Sequence, residues 1–335
     1  MAEGGPRPGE FDLIARYFAP LARDPAARGL VDDAAVLIPP PGRELVLTKD
    51  ALAANIHFFS TDDPQDVAEK ALSVNLSDLA AKGADPLGYL LAIALPSEWT
   101  EEWIAGFSTG LAANQDRYGW SLLGGDTIRS PNGLMVSVTA IGAVPTGESV
   151  SRAGARPGDV LFVSGTLGDA AFGLKLRAEE PAAEAWSLSE TDKTFLIDRY
   201  LHPQPRVALA AVIREYASAA MDISDGLTGD LAHICEASGI SAELRLADMP
   251  ISEAGMAVLA VDPDEIHSII AGGDDYEILA AIPPDRADRF KAAAAEAGVP
   301  VAAIGTCTEQ RGDHVTFLDS GGMPVELDDT AFRHF

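Results

Sequence analysis

Cysteine is almost missing from this chain: two residues in 335, Cys235 and Cys307, with no CxxC and no His/Cys set nearby. A disulfide framework and a zinc site are therefore not expected, and a reducing cytoplasm fits. Long apolar runs are missing too. The longest, Leu90 to Leu95 (LLAIAL), is far too short to span a bilayer, and MAEGGPRPGEF at the start has no apolar segment of the kind a secretory signal needs. Positive charge is scarce. Lys and Arg number 24 against 51 Asp and Glu, a net charge of −27, which argues against unaided binding to nucleic acid or an anionic membrane. Also absent are a Walker G-x-x-x-x-G-K-[ST] sequence, a G-x-G-x-x-G after the first strand, and Ser-His-Asp or Cys-His spacing for a hydrolytic nucleophile.

What the chain does have is aspartate, in short clusters beside glycine and serine: Asp32-Asp33, Asp50, Asp78, Asp126, Asp222 with Asp225, and Asp274-Asp275. Each sits next to an apolar stretch that reads as a core strand or helix, as in LVDDAAVLI, LLGGDTI, AMDISDGL and AGGDDYEILAAI. A carboxylate at the rim of a core costs folding energy unless something neutralises it. Oxygen ligands from separate segments suit hard cations such as Mg²⁺, above all cations that also bridge phosphates. The pattern points to a magnesium-nucleotide enzyme whose bound cations reverse a strongly negative local field.

The length favours two domains, with the break in PTGESVSRAGARPGD, where apolar periodicity stops and Gly and Pro rise. The expected division is 1–147 and 148–335, each mixing strands with helices in an α/β or α+β arrangement. Phe11 to Phe18 reads as a short helix, and AAVLIPP and RELVLTKD as two strands joined by a Pro-Gly turn. Asp63-Pro64 has the form of an N-cap followed by proline at the first helical position. The helix it opens carries Asn75, Asp78 and Lys82 on one face. Taken alone, that face is solvated and Asp78–Lys82 an i,i+4 pair worth a few tenths of a kcal/mol. Gly124-Gly125-Asp126 reads as a turn after a strand, its glycines letting backbone amides approach a phosphate, though a tight turn alone explains most such triplets. In Asp222-Ile-Ser-Asp225-Gly, three polar side chains crowd one rim and Gly226 permits the turn into a helix. His57, in NIHFF, has a half-buried structural role as its commonest explanation.

In order along the chain, GEFDLIARYF, DDAAVL, TKDALAANIHF, KALSVNLSDLAAKGADP, LLGGDT, SRAGARPGD, MDISDGL, GGDDYEIL and FRHF resemble the thiamine-monophosphate kinase family, within the wider superfamily of aminoimidazole-ribonucleotide synthetase and selenophosphate synthetase. The resemblance covers nearly the whole chain. It implies that superfamily's two-domain fold and a homodimer whose N-terminal domains join their sheets, with the nucleotide between the domains. It also implies transfer of the ATP γ-phosphoryl group to thiamine monophosphate with several Mg²⁺ ions. Asp33, Thr48, Lys49, Asp50, Asp78, Asp126, Asp222 and Asp225 match the family's magnesium positions. Gly125, Asp126, Arg152 and Ser224 match its ATP contacts, with Arg152 and Asp126 stabilising charge. His57, Asp274 and Phe332 match its thiamine-monophosphate contacts. The chain departs from the family pattern at Val31 (usually Gly), Lys49 (usually Thr), Ala54-Asn55 (commonly Glu-Gly) and Asp274 (commonly Glu). Two rivals are another ATP-dependent synthetase of the superfamily and a non-catalytic nucleotide- or magnesium-binding regulator. Selenophosphate synthesis is disfavoured because both cysteines lie in the second half.

Overall fold

In a computed structural model, which describes residues 8–325, the chain divides into two compact units. The first comprises residues up to Leu79 together with Asp85–Gly147; the second comprises Ala80–Ala84 and everything from Glu148 onward.

The first unit opens with one helical turn, α1 (Glu10–Leu13), that widens into a π-turn over Ile14–Phe18 instead of running on as the single helix its periodicity suggests. Its sheet has the order β1-β4-β2-β3, built from β1 (Arg43–Ala53), β2 (Asp85–Leu95), β3 (Ser121–Arg129) and β4 (Met135–Pro145). Pairing is antiparallel except between β2 and β3. Two helices, α2 (Pro64–Ala81) and α3 (Glu101–Tyr118), complete the unit. The Asp63 carboxylate accepts from Gln65 N at 2.9 Å, capping α2 as its sequence foretells. Alternation along β1 sends Thr48 and Asp50 toward α2 and turns Leu47 and Lys49 to the opposite side of the sheet. The strand expected over AAVLIPP does not form. Its backbone finds no partner strand among the described residues, and Val36 and Ile38 lie exposed.

The second unit holds a seven-stranded mixed sheet of order β11-β10-β7-β9-β5-β8-β6. Its strands are β5 (Val160–Ser164), β6 (Ala219–Asp222), β7 (Ile240–Arg245), β8 (Ile278–Ile282), β9 (Val301–Glu309), β10 (Val315–Leu318) and β11 (Pro324–Val325). Helices cover both faces. On one side Leu161 and Val163 join a core with Phe172 of α4 (Asp169–Arg177), Trp186 after α5 (Pro181–Ala185) and Leu196 of α6 (Glu190–Leu201). Leu231 of α8 (Leu227–Ser238), Val258 of α9 (Glu253–Val261) and Ile269 of α10 (Ile266–Ala271) belong to the same core. On the other side Phe162, Ala280 and Ile282 meet Ile213 of α7 (Ala210–Tyr216) and Phe290 of α11 (Ala287–Glu296). Strands buried on both faces explain why VLFV and ILAAI are continuously apolar rather than alternating. No helix among the described residues is long and apolar enough to cross a membrane.

Candidate active site

In the first unit the carboxylates gather in two places. The first lies between β1 and α2. Thr48 Oγ1 donates to Asp78 Oδ2 at 2.5 Å, and Asn75 Oδ1 accepts from Asp50 N at 3.1 Å. Asn75 is buried and tied to the helix through Ala71 O, whereas Asp50 and Asp78 remain half-exposed. Asp78 thus meets a strand hydroxyl and does not simply face solvent.

The second place is a cavity of about 170 Å³ lined by Asp32, Asp33, Gly124, Gly125 and Asp126 together with Glu10 of α1 and apolar residues of the π-turn after it, of β2 and of β3. That is below the roughly 300 Å³ at which ligand pockets usually begin, so it suits part of a nucleotide rather than a whole one. Gly124-Gly125-Asp126 is not a turn here but the middle of β3, which pairs with β2 across an irregularity at Tyr89/Leu90. A Cβ on Gly125 would collide with the Leu91 carbonyl, so this glycine serves strand packing and also brings bare backbone to the cavity wall. Lys49 lines an adjoining hollow with Asp33, Asp126 and Ser137, and its Nζ donates to Ser137 Oγ at 2.7 Å. His57 sits in the turn after β1, where its Nδ1 accepts from Ala53 N at 3.1 Å; in the neutral ring the proton is then on Nε2.

The second unit brings Asp222, Ser224, Asp225 and Arg152 into one region. Asp222 ends β6 and is buried; Asp225 and Arg152 are exposed. The loop between β6 and α8 is shaped from two sides. Asp230, one turn into α8, accepts from Ser224 N at 2.9 Å and from Asp225 N at 3.1 Å. Gly226 takes φ +108°, and a Cβ there would come within 2.6 Å of Ala271 O. Burial pushes the Asp230 carboxyl up to about 7; the neighbouring Asp225 charge adds to this and the Arg152 charge opposes it.

A second loop, Gly272–Glu277, docks on the first through backbone bonds. Asp274 N donates to Ser224 O at 2.9 Å, Tyr276 N to Ile223 O at 2.8 Å, and Ile223 N to Glu277 O at 2.8 Å. Asp274 and Tyr276 both have left-handed backbone, φ +69° and +49°, so the strand expected from residue 276 begins only at Ile278. Beneath the loop lie three buried acids: Asp275 on Gly168 N, Asp169 on Thr166 and Ser252, and Glu277 between Arg199 and Arg206. Burial raises the Asp275 carboxyl well above the ordinary range, and the Asp169 and Glu277 charges push the same way.

The first unit thus joins Thr48, Asp50 and Asp78, and separately Asp33, Gly125, Asp126 and Lys49. The second unit joins Arg152, Asp222, Ser224, Asp225 and Asp274. Phe332 lies outside the described residues. Missed in the sequence were Asp230 and Glu277, while Asp275, read as one of the aspartate clusters, is a buried acid on Gly168 N. Asp230 alone left a trace, as an acid one turn into a helix that follows a polar turn.

Donor chemistry decides whether Mg²⁺ fits. Among the described residues no three His, Cys, Asp or Glu side chains converge closely enough to hold a metal by themselves. What converges is pairs of oxygen donors, which suits Mg²⁺, since it commonly takes one or two carboxylates and completes its shell with water and substrate phosphate.

Residues 31–144 match the model of the AIR synthase related protein N-terminal domain, and residues 156–317 that of the C-terminal domain. The two-unit fold is therefore that of an AIR-synthase-related protein. Within that class the chain is 45% identical over 324 residues to a thiamine-monophosphate kinase of Caulobacter vibrioides, covering 96% of this chain and 90% of that one. A crystal structure of thiamine-monophosphate kinase from Stenotrophomonas maltophilia superposes with a TM-score of 0.81 at 40% identity, covering 92% of this chain and 96% of that one. A structure of AaThiL complexed with AMPPCP and TMP superposes with a TM-score of 0.77 at 31% identity, covering 91% of each chain. The chain belongs to the thiamine-monophosphate kinase family and is a phosphotransferase with a phosphate group as acceptor.

Proposed function

We propose that this enzyme transfers the γ-phosphoryl group of ATP to the phosphate of thiamine monophosphate, giving thiamine diphosphate and ADP by direct in-line displacement. The observation that carries this reading is the convergence of Thr48, Asp50 and Asp78 on one side of β1 in a chain so close to thiamine-monophosphate kinases. Phosphoryl transfer between two phosphates asks for positioning and neutralisation of charge rather than a protein nucleophile, and among the described residues no activated nucleophile stands beside these.

We assign the division of labour as follows. Asp33, Thr48, Asp50, Asp78, Asp126, Asp222 and Asp225 are the oxygen donors that would hold magnesium. The Lys49 ammonium cannot ligate a cation but can stand beside carboxylates in place of one. Bound magnesium would neutralise phosphate charge and orient the oxygens. Arg152 offers a planar fork to phosphate, and Ser224 with the bare backbone at Gly125 offers hydrogen-bond donors. His57, through Nε2, and Asp274 take the thiamine side, with Phe332 stacking on its cationic ring. The exposed apolar residues Leu47 and Leu90, on the sheet face turned away from α2, support a homodimer formed through the first unit.

A coupled assay of ADP release tests the proposal. Release that depends on both thiamine monophosphate and Mg²⁺ is expected. ATP turnover indifferent to thiamine monophosphate would favour another synthetase of the superfamily, and binding without turnover a regulator.

A further inference from the structure

Among the described residues Glu277 is the most completely enclosed acid of the second unit, with no accessible surface. Its Oε2 accepts from Ser164 Oγ and from Arg206 Nε, both at 2.6 Å, and its Oε1 accepts from Arg199 Nη2 at 2.7 Å and from Arg206 Nη2. Ser164 passes the connection on by accepting from Ile278 N at 2.8 Å. Gly165 makes the room, because a Cβ at its φ of +59° would collide with the Glu277 carboxylate. A buried ion triad of this kind is weak evidence for stability, since the desolvation of three charges offsets most of their attraction. Its retention calls for another reason.

That reason lies three residues upstream. Asp274 and Tyr276 hold left-handed backbone that non-glycine residues adopt only when the surroundings force it, at a cost of about 1–3 kcal/mol each. The forcing comes from both ends. Asp275 is pinned to Gly168 N, and Glu277 is pinned through its side chain to Arg199 and Arg206 and through its carbonyl to Ile223 N. We propose that Glu277, with Arg199 and Arg206, is a positioning residue for thiamine monophosphate: the triad fixes the loop that presents Asp274 and leaves the nucleotide side untouched. The proposal rests on the reading of Asp274 as a substrate contact. Its selectivity follows from the second tether. Asp230 holds Ser224 and Asp225 independently, so the loop after β6 keeps its shape when Glu277 is lost.

The experiment combines kinetics with amide exchange on the full chain. Glu277→Gln keeps the shape and removes the charge, and Ser164→Ala removes one bond to the same carboxylate should the first variant fail to fold. Expected for Glu277→Gln is a KM for thiamine monophosphate raised about tenfold with KM for ATP within about twofold, and Ser164→Ala follows with a smaller shift of the same pattern. In an Asp274→Ala background, Glu277→Gln adds little further, because it acts through Asp274. Equal rises in both KM values, or full additivity in the double variant, overturn the proposal. Exchange separates this from the substrate assignment. Amides of Asp274 and Tyr276 exchange faster in either variant whatever the substrate proves to be, while those of Ser224 and Asp225 do not. Unchanged exchange at Asp274 and Tyr276 overturns the positioning role itself; faster exchange with no dependence of turnover on thiamine monophosphate removes only the substrate reading.

Discussion

The two units handle acidic residues in opposite ways. In the first, Asp33 and Asp126 stand exposed on a cavity wall, and Asp50 and Asp78 are half-exposed and lightly tied. In the second, Asp169, Asp230, Asp275 and Glu277 are nearly or wholly buried and each is bound by named donors. The first arrangement is open charge, cheap to solvate and available to cations. The second is an acidic framework that shapes two loops so that Asp225 and Asp274 can face outward from their rim, beside the buried Asp222 at the end of β6. An acid's position in the sequence does not distinguish these uses; its partners do.

The contrast breaks most readily at Asp78. If the open acids of the first unit serve chemistry, Asp78→Asn should lower kcat by about 100-fold, the scale of losing one group that stabilises transferring charge. An asparagine oxygen can still accept from Thr48, so the thermal midpoint should barely move. Near-normal turnover would return Asp78 to the role of a half-exposed helix residue, and a large loss of stability would place it with the acids of the second unit.

The buried acids are tested through pH. The Asp275 carboxyl is raised well above the usual carboxylate range by burial first and by the Asp169 and Glu277 charges after it, with the Gly168 amide and Arg199 opposing. A raised carboxyl means that the folded protein keeps a proton which the unfolded chain has released. Its contribution to stability is therefore complete below about pH 4 and is lost as pH climbs toward the raised value. Asp275→Asn, which cannot ionise, should have a melting temperature that declines less over that range than that of the natural enzyme, the gap between them opening as pH rises. Parallel curves would mean that Asp275 is ionised in the folded state and that the contrast between the units is overstated.

The same contrast explains what the sequence made legible. The two-domain α/β architecture and the spacing of Asn75 and Asp78 follow from periodicity, which is local. The Asp63-Pro64 helix start is local too. The glycine pair at 124–125 misled because a glycine demanded by the approach of a neighbouring strand looks like one demanded by a turn. AAVLIPP misled because an apolar run supplies no partner strand. Glu277 was invisible for a different reason. Arg199 and Arg206 lie 78 and 71 residues away from it, and nothing in GGDDYE says that its last acid turns inward. Acids beside glycine stand out in the sequence whatever their use, as Asp274 and Asp275 do; Asp230 and Glu277, which only their partners reveal, do not.

Lys49 sharpens the comparison by the smallest amount, because it carries the opposite sign into the open region. Alternation turns it away from Thr48 and Asp50, yet the hollow it lines also contains Asp33 and Asp126. On the proposed reading it is a monovalent counter-ion there to carboxylates that would otherwise depend on magnesium alone. The residue is exposed, so solvent screens the effect to the order of 0.2–1 kcal/mol, about a 1.5- to 5-fold change in an equilibrium. Lys49→Thr should therefore raise the Mg²⁺ concentration at half-maximal rate by a factor in that range and steepen the dependence. Lys49→Arg, which keeps the charge, should leave the curve in place. A shift in both variants would mean that the Ser137 contact matters rather than the charge, and superimposable curves for all three proteins would leave Lys49 as an ordinary strand residue whose ammonium the metal sites never sense.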